Sequence, residues 1–116
     1  MGGGRYMAGR VDIDRGDIWT YEFQRPDKRR PVLVLSRSEA IAILHTVMVA
    51  PITSTIRGLP SEVVVGTMEG LKHDSAVNLD HMQTVERARL SRYIGRLSSE
   101  KMRTVCRALA VATGCD

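Results

Sequence analysis

Cysteine is scarce in this 116-residue chain: Cys106 and Cys115 are the only two, and they form no C-x-x-C pair. That excludes a disulfide scaffold and a sulfur-rich zinc site. Two free thiols fit a reducing cytoplasm. Aromatic residues make up only 4% of the chain. Long apolar runs are missing too. The longest, Val47–Ile52, falls far short of the roughly 20 residues a membrane helix needs. The opening Met1-Gly-Gly-Gly-Arg-Tyr lacks an apolar signal core. No membrane role is expected, and the cytoplasm is the expected location. There is no glycine-rich phosphate loop and no local Ser/His/Asp signature. His73, Asp74 and His81 match no metal-ligand array. Neither a metal nor a cofactor is expected.

What is present is arginine. The chain carries 17 basic and 13 acidic residues, a net charge of +4. Lysine accounts only for Lys28, Lys72 and Lys101, so the other basic residues are arginines. Guanidinium grips phosphate or carboxylate as a planar fork, which the lysine ammonium cannot do. A small arginine-rich domain points to a polyanion or an acidic protein as partner. Hydrophobic residues are 43%, enough for one globular domain at this length. The expected organisation is a flexible tail over residues 1–14 and a single domain over 15–116.

Along the chain, Arg15-Gly16-Asp17 opens a strand from Ile18 to Phe23. Its alternation puts Trp19, Tyr21 and Phe23 on one face, as core. The stretch Arg25-Pro26-Asp27-Lys28-Arg29-Arg30-Pro31 reads as a basic turn. Val32–Ser36 is a short β-branched strand, Ser38–Ala42 a weak helical turn, and Thr46–Thr53 a strand with a local break at Pro51. Short strands follow at Glu62–Gly66, Ala76–Leu79, Gln83–Val85 and Tyr93–Leu97. The clearest helix is last. Ser98 or Ser99 caps it, Met102, Val105, Cys106, Leu109 and Ala112 form its apolar stripe, and Gly114 stops it. Many short strands and one amphipathic helix predict a small, strongly curved sheet or barrel with a helix packed on it.

Several segments, in order, are similar to one family. Arg15-Gly16-Asp17-Ile18-Trp19 resembles the opening of the MazF/PemK toxins of bacterial toxin–antitoxin pairs. Arg30-Pro31-Val32-Leu33-Val34-Leu35-Ser36 resembles their second strand, and Val49-Ala50-Pro51-Ile52-Thr53-Ser54 the strand that carries their threonine. Asn78–Val85 resembles the next segment, and Ile94-Gly95-Arg96-Leu97-Ser98 leads into the final helix. The likeness runs from about Arg15 to Gly114. Each motif alone is commonplace, and their order and spacing together are specific.

The resemblance implies a mainly β fold with a C-terminal α-helix, an SH3-like small barrel of the MazF/CcdB kind that forms a homodimer. It implies a sequence-specific, metal-independent endoribonuclease that cuts single-stranded RNA (messenger, ribosomal or transfer). The products would carry 2′,3′-cyclic phosphate and 5′-hydroxyl ends. A cognate antitoxin with an acidic binding segment would block it. The catalytic arginine of the family falls on Arg30 and the catalytic threonine on Thr53.

The chemistry suits these side chains. The RNA 2′-hydroxyl attacks its own phosphate, so the protein need only align it, hold the phosphorane and manage two protons. Arg30 can fork the non-bridging oxygens, and Thr53 can hydrogen-bond the same phosphate. His81, Ser54 and Gln83 are further catalytic or RNA-contacting candidates, His81 because imidazole titrates near neutrality. Arg25, Lys28 and Arg29 are candidates for an RNA- or antitoxin-binding loop. Arg87, Arg89, Arg92 and Arg96 either extend a phosphate track or form a solvated face. Two other functions are compatible with a small barrel: a non-catalytic RNA- or protein-binding module, and a CcdB-like gyrase poison.

Overall fold

The structure is a computed structural model that describes residues 6–7, 10–23 and 29–116. After a short pair, β1 (Tyr6–Met7) and β2 (Arg10–Val11), come β3 (Asp17–Glu22), β4 (Arg29–Val34), β5 (Thr46–Thr53), β6 (Glu62–Val65), β7 (Ser75–Asn78), β8 (Gln83–Glu86) and β9 (Leu90–Arg96). Helix α1 (Ser38–Ile43) links β4 to β5, and α2 (Ser99–Thr113) follows β9. The main sheet is antiparallel, in the order β6–β7–β5–β4–β3–β9, with β8 also paired to β5. The mainly β architecture with one C-terminal helix is the expected one. Its barrel is open: among the described pairings, β6 and β9 are ends and do not meet.

Alternation along the central strands splits the apolar residues between two cores. One face gives Ile18, Leu33, Leu35, Ala50 and Ile52, which pack with β6, β7 and the buried side of α2. The other gives Trp19, Tyr21, Val32, Val34, Val47 and Val49, which pack with Ile41 of α1, Val85 and Leu90. A strand buried on both faces needs a continuous apolar run, and Val32–Leu35 is one. Ile13 and Phe23 pack at the edge of this second core. Residue 13 therefore belongs with the packed structure, although the expected tail extended to 14. The aromatic face of β3 is core, as expected.

Pro51 marks the place where β5 changes partners. Thr46–Val49 pairs with β8, and Ile52–Thr53 with β7. The turn Leu79–His81 carries the chain from β7 to β8 opposite this point. A proline has no N–H to give to a ladder, so the break costs the sheet no donor there.

Ser98 caps α2 by accepting from the Lys101 N–H at 3.0 Å, and Gly114 ends the helix in the left-handed region at φ +75°. One member of the expected stripe is wrong. Cys106 is exposed, and Ala108 is buried in its stead. Cys106 lies at the exposed edge of the stripe, where its sulfur accepts from Arg15 Nη2 at 3.2 Å.

Asp17 closes the barrel's entry. It is completely buried, and Arg96 donates to its Oδ1 at 2.9 Å. Its Oδ2 accepts from the Asp14 N–H at 2.9 Å and the Trp19 indole N–H at 3.2 Å. A buried carboxylate is tolerated because each oxygen is met by a donor.

Candidate active-site cleft

A cleft opens between β4 and β5. The ladder between these strands pairs Val34 with Val49, Leu33 with Ala50 and Val32 with Pro51. Beyond that pair, β4 stays with β3 through Pro31, Arg30 and Arg29, whereas β5 leaves with β7. Pro31 stands in phase with Leu35, whose N–H reaches the Met48 carbonyl on β5, so at Pro31 the donor that would cross the gap is missing. The strands part, and the register, continued two residues across the opening, sets Arg30 opposite Thr53.

The resulting cleft has a volume of about 710 Å³. It lies at the mouth of the first core. Pro31, Ile52, Leu71 and Ile94 line its apolar parts, and Arg29, Arg30, Lys72, His73 and Arg92 bring charge and imidazole to it. Thr20, Thr53, Ser54, Ser75 and Ser91 add hydroxyls. No carboxylate is among the described lining residues. One of the four permanent cations is partly neutralised, since Arg29 Nε pairs with Glu22 at 3.2 Å. The side chain of Arg30 makes no hydrogen bond or ion pair among the described residues, and it is exposed. Such a concentration of one sign in a concave site attracts a polyanion.

Thr53 is prepared as a donor. Its Oγ1 accepts from the Thr55 N–H at 3.1 Å, a local turn that fixes the oxygen. The hydroxyl proton stays free to be given away. Ser54 is the next residue, exposed on the same rim.

Two glycines seat the far wall. A Cβ on Gly95 would lie 2.1 Å from the Glu69 carbonyl oxygen, and one on Gly70 would lie 2.6 Å from that of Ile94. Gly70 is also left-handed, at φ +99°, where only glycine sits without strain. This close approach of the 69–70 backbone to β9 brings Lys72 and His73 to the cleft beside Arg92.

The candidates from sequence are thus divided. Arg30, Thr53, Ser54 and Arg29 share the cleft. Arg29 is the first residue of β4 and not part of a loop, which corrects the expected turn. Arg25 and Lys28 lie outside the described residues. His81 and Gln83 are exposed but do not line the cleft. Gln83 pairs with Val49 on β8. Of the four arginines proposed as a track, only Arg92 lines the cleft. Arg87 donates to the Ile41 carbonyl. Arg89 donates to the Glu22 carbonyl at 2.7 Å and lies over the Tyr21 ring. Arg96 holds Asp17. Sequence reading missed Lys72 and His73 as cleft residues; the signal for them was Gly70 and Gly95. Among the described residues, no three His, Cys, Asp or Glu side chains converge as a metal site, and no helix is long and apolar enough to cross a membrane.

Residues 14–113 match the family model described as the PemK-like, MazF-like toxin of type II toxin–antitoxin systems. The chain belongs to the PemK/MazF toxin family. Among its relatives is the probable endoribonuclease MazF5 of Mycobacterium tuberculosis (strain H37Rv), 47% identical over 103 residues, 88% of this chain and 94% of that protein. The solved structure of M. tuberculosis toxin MazF-mt6 superposes with a TM-score of 0.80 at 38% identity, covering 86% of this chain and 98% of that one. A mycobacterial endoribonuclease solved in complex with its cognate antitoxin matches with a TM-score of 0.81 at 25% identity, covering 90% and 97%. The PemK/MazF fold is therefore present nearly in full, and the cleft lies within the matched residues.

Proposed function

We propose that this family member is a metal-independent endoribonuclease toxin that cuts single-stranded RNA by attack of the 2′-hydroxyl on the adjacent phosphate. It leaves 2′,3′-cyclic phosphate and 5′-hydroxyl ends and so stops translation and growth. The observation that carries the reading is the cleft itself. It holds an arginine whose side chain bonds to no other described residue and an anchored threonine hydroxyl in a concave site whose described lining has no carboxylate, in a chain whose relatives are named endoribonucleases.

The side chains suit the reaction. Arg30 places a bidentate donor on the non-bridging phosphate oxygens as negative charge grows on them. Thr53 donates its free proton to the same group. Arg92, Lys72 and Arg29 hold neighbouring phosphates and screen their repulsion. The nucleophile comes from the substrate, so no metal is needed to generate one, and DNA is not a substrate. The cationic cleft also fits an antitoxin with an acidic segment, as the antitoxin-bound relative suggests. We take the working form to be a homodimer.

The test is RNA cleavage in excess chelator, with fragment ends mapped and their chemistry determined, beside Arg30→Ala. Discrete cuts with cyclic phosphate and 5′-hydroxyl ends, lost in the variant, support the reading. A folded protein that cuts no RNA sinks it and favours a binding module, or a gyrase poison if gyrase is inhibited. Cuts that persist in Arg30→Ala mean that Arg30 is the wrong residue or the activity a contaminant.

A further inference from the structure

The reaction proposed above moves two protons, and the cations of the cleft cannot take one up. Guanidinium stays charged throughout the physiological range, and no carboxylate lines the described cleft. Among the described lining residues, the one side chain of a type that titrates near neutrality is His73.

His73 in the cleft and His81 outside it differ in their hydrogen-bond partners. Nδ1 of His73 lies 3.3 Å from the carbonyl oxygen of Asp74. A carbonyl oxygen only accepts, so Nδ1 carries the proton. In the neutral ring, Nε2 then keeps its lone pair. His81 is held in the opposite sense. Oδ1 of Asn78 accepts from the Asp80 N–H at 3.0 Å, which orients the amide. Its Nδ2 therefore faces Nδ1 of His81, at 2.7 Å. An amide NH₂ only donates, so Nδ1 of His81 accepts and the ring proton sits on Nε2. His81 offers an N–H outward and no free lone pair.

We propose that His73, through Nε2, is the general base that takes the 2′-hydroxyl proton, and that His81 has no acid–base role. The inference rests on the ribonuclease reading above. As the O2′–H bond breaks, its proton passes to Nε2. The O2′–P bond forms and the P–O5′ bond breaks, and the leaving oxygen takes a proton from water. The hydroxide left by that water removes the proton from the imidazolium and restores the ring. The charged groups around His73 are Arg29 and Arg30 of β4, Arg92 of β9, and Lys72 and Asp74 on its own loop. His73 is exposed in that loop, so its replacement does not threaten the fold.

The experiment compares wild type, His73→Gln, His73→Ala and His81→Gln. Single-turnover cleavage of one defined RNA is followed from about pH 5 to 8. Binding of the same RNA with a 2′-deoxy sugar at the cut site is measured in parallel. In the wild type, the rate rises with pH to a plateau as the base form is populated. His73→Gln loses that rise and cuts about 10²–10⁴-fold more slowly, while binding of the uncleavable RNA is unchanged. Free imidazole restores His73→Ala in proportion to its neutral form. His81→Gln keeps the wild-type pH dependence. A rise that survives in His73→Gln, or that vanishes in His81→Gln, overturns the assignment. So does a loss in His73→Gln that lies wholly in RNA binding. A wild type that cuts no RNA at all overturns the ribonuclease reading and the base assignment with it.

Discussion

Replacing Asp17 by asparagine removes one charge from the most enclosed polar site of the fold and keeps the side chain's shape. The carboxylate accepts on both oxygens: Oδ2 from Asp14 and Trp19, Oδ1 from Arg96. Asparagine has one oxygen. Placed at Oδ2, it keeps the two N–H donors and turns its NH₂ onto the Arg96 guanidinium. Flipped, it sets the NH₂ against two donors. The first arrangement is the better one and forfeits the charge-assisted hydrogen bond with Arg96, worth about 1.5–3 kcal/mol. The Arg96 side chain is about half exposed, so it can rehydrate. The loss therefore stays below the roughly 3–5 kcal/mol of a fully buried broken pair. We expect about 2 kcal/mol, a fall in Tm of roughly 6–12 °C, with the urea m-value unchanged. Arg96→Met should cost more, about 3 kcal/mol, because it strands the buried carboxylate itself. The double variant should be less damaging than the sum of the two by about 1 kcal/mol or more. Urea melting of all four proteins measures each quantity. An Asp17→Asn protein within about 0.5 kcal/mol of wild type, or strictly additive effects, would show that this network does not hold the barrel's entry.

Other outcomes follow from the same structure. Gly95→Ala drives a methyl against the Glu69 carbonyl, a backbone group that cannot rotate away. It should lower stability by about 2 kcal/mol or more, and weaken RNA binding as the loop bearing Lys72 and His73 lifts; melting and filter binding report the two effects. Arg30→Ala should slow RNA cleavage by about 10²–10³-fold with melting unchanged, since the Arg30 side chain bonds to no other described residue. Thr53→Ser should stay active, while Thr53→Val should lose roughly 10²-fold; comparing cleavage rates isolates the hydroxyl. Ser98→Ala should cost about 1 kcal/mol through its lost cap and leave the cleavage rate alone, a control that separates stability from chemistry.

What could be read from the sequence was what local spacing decides. Strand β5 was bounded correctly at Thr46 and Thr53 by its apolar run, and Pro51 marked its break, because a missing N–H acts at one position regardless of context. The cap at Ser98 and the stop at Gly114 are local for the same reason. The helix phase was legible except at its edge. Periodicity admits either Cys106 or Ala108 beside Val105, and the packing of Val105 and Ala108 into the first core, with Cys106 left exposed, decides between them. The cleft depends even more on distant contacts. Resemblance brought Arg30 and Thr53 forward, but their meeting depends on β4 and β5 taking different partners beyond the Val32–Pro51 pair, which no local pattern states. Lys72 and His73 reach the cleft because the 69–70 backbone lies against β9; Gly70 and Gly95 are the trace of that contact, but neither names its partner. The arginines make the limit plainest. Arg87, Arg89 and Arg96 carry the same charge as Arg92, yet two are tied to carbonyl oxygens and one to a buried carboxylate. Charge is countable in a sequence, but whether a charge is free for a ligand depends on acceptors that folding brings to it. A net charge of +4 therefore says less about phosphate binding than one stretch of cleft wall with no acid in it.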